Sequence, residues 1–345
     1  MTTHLAREIS EQPERLTAFL SSQREAVAQI AAAIREYNPA SVMIAARGTS
    51  DNAARYAQYI MGAHLRMPVG LSAPSLHTIY GTPPKLTNHL VIGISQSGQA
   101  RDVNAVLADA NRDGALTVAI TNYPDSPMAK TAQHHIWLNV GQEVSIAATK
   151  TYTAQLAAVA LLTASLADDP ALANALSGVP DIVRQTLTYS ESIEGWAPRY
   201  RYMTQFASIG RGFNYATAFE IGLKVKELTS VIGEGYSEAD FRHGPIATIS
   251  SGFPVILVAP AGKVSPQLKD LIVKLQEKRA ELLIVGNEGD VLSQATNALR
   301  IPTVDEWLSP IAAVVPGQLF AMHQAMVRGL PVDKPEGLQK VTITE

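Results

Sequence analysis

The chain contains no cysteine among its 345 residues. Disulfides, thiolate metal sites and a cysteine nucleophile are therefore excluded. A large excess of either sign of charge is missing too. Lys+Arg 28 stand against Asp+Glu 31, a formal net charge of −3, so no overall field draws the chain to nucleic acid. There is no apolar run of bilayer-spanning length. The longest, around Leu156–Leu166, is interrupted by Thr163 and Ser165 and is expected to be a buried helix. The start, Met1-Thr2-Thr3-His4-Leu5-Ala6-Arg7-Glu8, has no apolar core of a signal peptide. Neither a membrane nor a nucleic-acid partner is expected, and a cytoplasmic location is. What is present is a 46% hydrophobic, 17% charged composition, which fits a globular protein with ample core. The length suits two domains of roughly 150 residues each.

The most informative stretch is Ile94-Ser95-Gln96-Ser97-Gly98-Gln99. The apolar run Leu90-Val91-Ile92-Gly93 leads into it, and a helical pattern from Asp102 to Asn111 follows. A buried strand ending in Ser-x-Ser-Gly before a helix suits a phosphate. The hydroxyls donate, the glycine lets the backbone approach, and the helix N-terminus adds bare N–H groups with partial positive charge.

Strand-like runs at Ser41–Ala46, Leu90–Ser95, Leu116–Thr121 and His135–Asn139 alternate with helical patterns at Asn52–His64, Arg101–Arg112 and Thr151–Ala167. This alternation predicts an α/β fold with a parallel sheet covered on both faces. The order then repeats. Placing Arg47-Gly48 over Arg211-Gly212, a shift of 164, sets Val91–Ile94 over Val255–Val258 and Gly98 over Gly262. Asn122 meets Asn287 after a one-residue slip. Three strand–loop–helix junctions in one register imply a duplicated unit. The copies have diverged: Ser95-Gln96-Ser97-Gly98 becomes Ala259-Pro260-Ala261-Gly262, which has lost the hydroxyls and one N–H donor. Only the first copy can offer this phosphate cradle. The expected division is N-terminal helices at 1–35, a first domain at 36–167, a linking helix at 168–197 with its pattern from Asp181 to Ile193, a second domain at 198–330, and a tail at 331–345.

Six motifs occur in order: Arg47-Gly48-Thr49-Ser50, Ser95-Gln96-Ser97-Gly98, Ala147-Ala148-Thr149-Lys150, Lys224-Val225-Lys226-Glu227, Arg242-His243-Gly244-Pro245 and Pro335-Glu336-Gly337-Leu338-Gln339-Lys340. Together they resemble the tandem sugar-isomerase (SIS) domain proteins, in particular the isomerase half of glucosamine-6-phosphate synthase and the stand-alone SIS-type glucosamine-6-phosphate deaminases. The resemblance implies two tandem flavodoxin-like SIS domains, each a parallel sheet flanked by helices. The synthase also carries a glutaminase domain with an N-terminal cysteine nucleophile. The absence of cysteine and of such a domain here leads us to expect release of ammonia from an aminosugar phosphate. Two positions depart from the synthase pattern: Gln99-Ala100 stand where it has an acid and a phosphate-binding threonine, and Arg47 replaces a cysteine. Arg47 is expected to be structural, since its repeat partner is Arg211.

By this resemblance Ser95, Gln96 and Ser97 hold the phosphate, Thr49 and Ser50 contact sugar or phosphate, and Ile146 contacts sugar through its backbone. Ser50 would also serve as the N-cap of a helix starting at Asp51. Glu227 is expected to carry the proton between C1 and C2, and Lys224, on the same helix face, to stabilise the enediolate. The spacing of Glu220, Lys224 and Glu227 equally suits surface ion pairs. His243 is expected to open the sugar ring from the neighbouring subunit, making the active form a homodimer; a plain loop histidine is the other reading. Lys340, in a tail folded over the sugar, would form a Schiff base or bond its oxygens, unless it is merely solvated. No role falls to the other histidines; His134 and His135 are expected to precede a strand, with no carboxylate at metal-ligand spacing, so no metal and no cofactor are predicted. The expected reaction is glucosamine 6-phosphate plus water to fructose 6-phosphate plus ammonia. Alternatives are another phosphosugar aldose–ketose isomerase, a fructosamine-phosphate deglycase, and a sugar-phosphate-sensing regulator.

Overall fold

The computed structural model describes residues 3–341. The first elements are α1 (His4–Ser10), α2 (Gln12–Tyr37), β1 (Ser41–Ala45), α3 (Thr49–Leu65), β2 (Val69–Leu71) and α4 (Ser75–Thr78). There follow β3 (His89–Ile94), α5 (Arg101–Arg112), β4 (Leu116–Thr121), α6 (Pro127–Thr131), β5 (His134–Trp137) and α7 (Lys150–Ala167). Residues 168–197 hold α8 (Pro170–Ser177), α9 (Val179–Tyr189) and α10 (Ile193–Trp196), with Gly178 ending the first and Pro180 opening the second. The chain continues with β6 (Gln205–Gly210), α11 (Tyr215–Thr229), β7 (Ile232–Ser237), α12 (Glu238–Arg242), β8 (Pro254–Val258) and α13 (Ser265–Glu277). It closes with β9 (Glu281–Gly286), α14 (Gly289–Leu292), β10 (Asn297–Arg300) and α15 (Ser309–Val327).

Two five-stranded sheets result, in the orders β2-β1-β3-β4-β5 and β7-β6-β8-β9-β10. Every pairing in both is parallel. Counted within its own set, each sheet has the strand order 2-1-3-4-5, the flavodoxin-like arrangement. The duplication is visible in the element ends. Helix α5 starts at Arg101 and α13 at Ser265, while β3 ends at Ile94 and β8 at Val258, both at the shift of 164. The strands β4 and β9 carry the one-residue slip.

Two compact units divide the described residues. One comprises Glu14–Glu143, Lys150–Gly178 and the described part of Gln339–Glu345, with the first sheet. Its core sets Val103, Val106, Leu107 and Ala110 of α5, one helical stripe, on Ala45, Val91 and Ala119 of the strands. Helix α7, in the same unit, is buried over nearly its whole length, as its largely apolar sequence on every face requires. The other unit comprises the described part of Met1–Pro13, Val144–Thr149 and Val179–Leu338, with the second sheet. There Leu268, Leu271, Ile272 and Leu275 of α13 pack on Val255, Leu257 and Ile284.

Two sequence readings change. β5 begins at His134, one residue before the expected His135–Asn139 run, so both histidines lie inside the strand and neither precedes it. Helix α3 starts at Thr49 and not at Asp51, so Ser50 is an internal first-turn residue and Gly48 takes the N-cap position without a side-chain bond. Its left-handed φ of +53° makes that sharp strand-to-helix turn accessible to glycine. No helix among the described residues is long and apolar enough to cross a membrane.

Candidate active site

The Ser95–Gly98 turn stands at the C-terminal edge of β3, directly before α5. Ser95 Oγ accepts from the Gly98 N–H at 3.1 Å, and Ser97 Oγ accepts from the Gln99 N–H at 3.2 Å. Both hydroxyl protons are thereby left pointing for donation elsewhere. The Gln96 carbonyl accepts from the Asn122 N–H at 3.0 Å, which ties the turn to the end of β4. Gly98 has φ +64°, and a Cβ there would come within 2.2 Å of Ser126 Oγ. Glycine is thus required twice over, by conformation and by contact. Ser50 is buried, and its Oγ accepts from Gln155 Nε2 of α7 at 3.0 Å. Thr49 is half-buried beside it.

Gln96 and Ser97 open into a cavity of about 430 Å³ that also contains Tyr123, Glu143 and Lys340. Lys340 of the tail reaches in, with its Nζ 3.0 Å from Glu143 Oε2. The Glu143 side chain is fully buried. Its carboxylate also accepts from the Thr151 N–H at 3.1 Å and from Thr151 Oγ1 at 2.8 Å, in the first turn of α7. A carboxylate at a helix N-terminus is stabilised by the dipole and by those bonds together. Three of the expected site residues therefore share one cavity, and the sequence reading missed Glu143 beside them.

In the other unit, Lys224 of α11 is 1% exposed and Glu220 0%. The alternative of a surface ion-pair ladder is thus overturned. Lys224 Nζ lies 3.5 Å from Glu220 Oε1 and is hydrogen-bonded to Glu227 Oε2. The Glu227 side chain is 23% exposed, so it alone of the three reaches the surface. A buried lysine flanked by two carboxylates has both sides of its head group satisfied. His243 caps the C-terminus of α12, is exposed, and lines a cleft of about 400 Å³ with Arg211, Glu238, Arg242 and Asp270. Glu238 is 1% exposed and takes both arginines, Arg211 and Arg242. The Ile146 N–H donates to the Asp333 carbonyl at 3.1 Å, so a backbone contact from Ile146 would have to come from its own carbonyl. No cluster of three His, Cys, Asp or Glu able to hold a metal ion occurs among the described residues.

The SIS domain profile matches residues 37–165 and again 205–328. The chain belongs to the SIS family. It is 32% identical over 344 residues to the glutamine–fructose-6-phosphate aminotransferase (isomerizing) of Aquifex aeolicus, covering 99% of this chain and 58% of that protein. The chain thus spans less than two thirds of that relative. A protein of Silicibacter pomeroyi DSS-3, provisionally described as a phosphosugar isomerase, has a solved structure that superposes with TM-score 0.86 at 31% identity, covering 96% of this chain and 99% of that one. The glucosamine-6-phosphate deaminase of Thermotoga maritima shares the fold, with TM-score 0.83 at 22% identity over 99% of this chain and 100% of that one.

The two SIS copies differ at the turn that follows β3 in one and β8 in the other, in a way the sequence only half disclosed. In the second copy the N–H groups of Lys263 and Val264, counterparts of Gln99 and Ala100, donate to Glu306 Oε2 and Oε1 at 2.9 and 3.4 Å. The Glu306 carboxylate packs so closely on Gly262 that a Cβ there would come within 2.2 Å of its Cδ. An internal carboxylate thus occupies the donors that an external anion would need. Loss of the hydroxyls was legible in Ala259-Pro260-Ala261; Glu306, more than forty positions on, carried no signal.

Proposed function

We propose that this SIS protein is a phosphosugar isomerase acting on an aminosugar phosphate, with glucosamine 6-phosphate and water giving fructose 6-phosphate and ammonia. The observation that carries the reading is the cavity in which the Gln96–Ser97 turn and the Lys340 ammonium face the same space. An anionic end and an open-chain carbonyl or hydroxyl of one sugar find complementary groups there. The likeness to an isomerizing aminotransferase and to a phosphosugar isomerase protein supports the substrate class.

In this reading the first SIS domain, residues 36–167, binds the phosphate through Ser95, Gln96, Ser97, Thr49 and Ser50, and Ile146 holds the sugar by its backbone. The second, residues 198–330, supplies the proton chemistry, and the tail 331–345 covers the sugar; positions 342–345 of it lie outside the described residues. His243, contributed by a neighbouring subunit of a homodimer, opens the ring. Glu227 takes the C2 proton and returns it at C1. Lys224 steadies the negative charge that develops between these steps. The aldose thereby becomes a C2 imine, which water attacks with loss of ammonia. Lys340 contacts the open chain.

The deciding experiment is an ammonia-release assay over a panel of hexosamine 6-phosphates, with Glu227→Gln alongside. Ammonia from glucosamine 6-phosphate that disappears in the variant supports the reading. Ammonia release that survives the substitution removes Glu227 from the mechanism. Interconversion of ketose and aldose phosphates without ammonia would make the protein a plain isomerase.

A further inference from the structure

Resting on the reading of the Ser95–Ser97 turn as a phosphate site, we infer that Arg47 is a further phosphate ligand of that site, its guanidinium adding a cation to the turn. The register places it there. Ala45 of β1 pairs with Gly93 of β3, so two residues on, Arg47 leaves its strand at the level of Ser95. In a sheet ordered 2-1-3-4-5 the gap beyond β1 and β3 is where the direction of winding switches and where ligands of such folds settle.

The local bonding fits a ligand better than a purely structural ion pair. Arg47 Nε donates to Asp102 Oδ2 at 2.7 Å, and the Asp102 side chain is 0% exposed while that of Arg47 is 50% exposed. A guanidinium paired with a carboxylate often presents its fork to both oxygens. Here Asp102 Oδ1 instead accepts from the Val103 N–H, and no hydrogen bond of either terminal Arg47 amine is found among the described residues. The carboxylate fixes the guanidinium by one edge and leaves the other edge presented at the surface.

Electrostatics leads to the same assignment. Asp102 is the second residue of α5, so the helix that should receive an anion already carries a buried negative charge in its first turn. Asp51, in the first turn of α3, is paired with Arg55 at 3.1 Å. The N-cap of α5, Ala100, contributes no side-chain bond. Without a cation at position 47, an incoming phosphate would meet Asp102 unscreened. With Arg47 in place, the Asp102 charge is balanced and the N–H groups of two terminal amines are added. The starting expectation that Arg47 is structural because Arg211 repeats it is thereby narrowed. Arg211 is committed to Glu238, in the copy whose anion turn is filled by Glu306.

The test is calorimetric titration of inorganic phosphate into the full chain, its Arg47→Met and Asp102→Asn variants, the double variant, and Ser97→Ala. Arg47→Met should weaken phosphate binding about tenfold to a hundredfold, as for loss of a charge-assisted hydrogen bond. The double variant should stay weak, because the donors remain absent even when the Asp102 charge is gone. Recovery of full affinity in the double variant would reduce Arg47 to a neutraliser of Asp102 and overturn the proposal. So would unchanged affinity in Arg47→Met. Should that variant not fold, Arg47→Gln, which can still bond Asp102, is read by the same criteria. If wild type and Ser97→Ala bind phosphate equally, or wild type does not bind it, the turn itself is misread and the Arg47 assignment goes with it.

Discussion

Lys340 Nζ and Glu143 Oε2 are 3.0 Å apart, and the same carboxylate holds the first turn of α7 through Thr151. The tail and the start of a buried helix thus share one anion. Removing its charge should loosen both. Glu143→Gln is expected to raise KM and lower kcat, together by tenfold or more, about the cost of one charge-assisted bond. The melting temperature should fall by a few degrees, since an amide can keep only part of the α7 cap. Steady-state kinetics with hydrogen exchange over residues 336–341 tests this. Wild-type kinetics with unchanged tail protection would show that the Lys340–Glu143 contact does not position the lysine.

The Glu220–Lys224–Glu227 triad on α11 separates stability from chemistry. Lys224→Met takes the ammonium away from two carboxylates, one of them 0% exposed, and should cost about 3–5 kcal/mol of folding stability. Adding Glu220→Gln should restore much of it, because the buried charge is then gone as well. Glu227→Gln should behave differently. Its side chain is partly exposed, so stability should change little, while proton exchange between C1 and C2 falls about 10²–10⁴-fold. Urea midpoints and deuterium uptake from D₂O, followed by NMR, separate the two effects. A stable, fully exchanging Glu227→Gln protein would exclude the proposed shuttle.

What could be read from the sequence were features carried by neighbouring residues. The apolar stripe Val103, Val106, Leu107, Ala110 fixed α5 to its observed ends, and Ser95-Gln96-Ser97-Gly98 disclosed the turn before it. The shift of 164 between the copies reappears in the starts of α5 and α13. The edge strand β2 escaped because three half-buried residues, Val69–Leu71, are too few to show a period. Ser50 was misplaced as a cap because Gly48, at φ +53°, starts the helix two residues earlier. Glu143 and Glu306 escaped for another reason. Each acts on a partner far along the chain, Lys340 in one case and the Lys263–Val264 amides in the other, and such contacts leave no local pattern.

Gly98 makes the Ser95–Gly98 turn, the proposed phosphate site, open to a direct backbone test. Gly98→Ala puts a Cβ at φ +64° and within 2.2 Å of Ser126 Oγ, so both strain and overlap follow. A cost of roughly 1–3 kcal/mol is expected from the backbone alone. Because the Gly98 N–H donates to Ser95 Oγ, the hydroxyl should lose its orientation and phosphate affinity should drop with stability. Chemical denaturation and phosphate titration check the two losses. A variant that keeps wild-type stability would show that the turn can relax around the methyl group.

Stability should also depend on pH through buried imidazoles. Burial pushes His77, His135 and His323 below the ordinary histidine value of 6.5. Thr121 pulls the His135 value upward and Glu194 does so for His323, but each by less than burial lowers it. In the folded state these groups resist protonation, whereas in the unfolded chain they accept a proton near 6.5. Above 6.5 both states are neutral and their contribution is complete. As the pH falls below 6.5 the unfolded chain binds protons that the native chain refuses, and stability declines until the lowered folded values are passed. Asp270 and Asp290, held below 3.8 by their lysine and arginine partners, act below this window, whereas burial raises Asp51 above 3.8, so its protonation on acidification opposes the histidine effect. Melting temperature should therefore be level from pH 8 to 7 and drop between pH 6.5 and 5. His135→Gln with His323→Gln should make that slope shallower, and an identical slope in the double variant would assign the pH dependence to other groups.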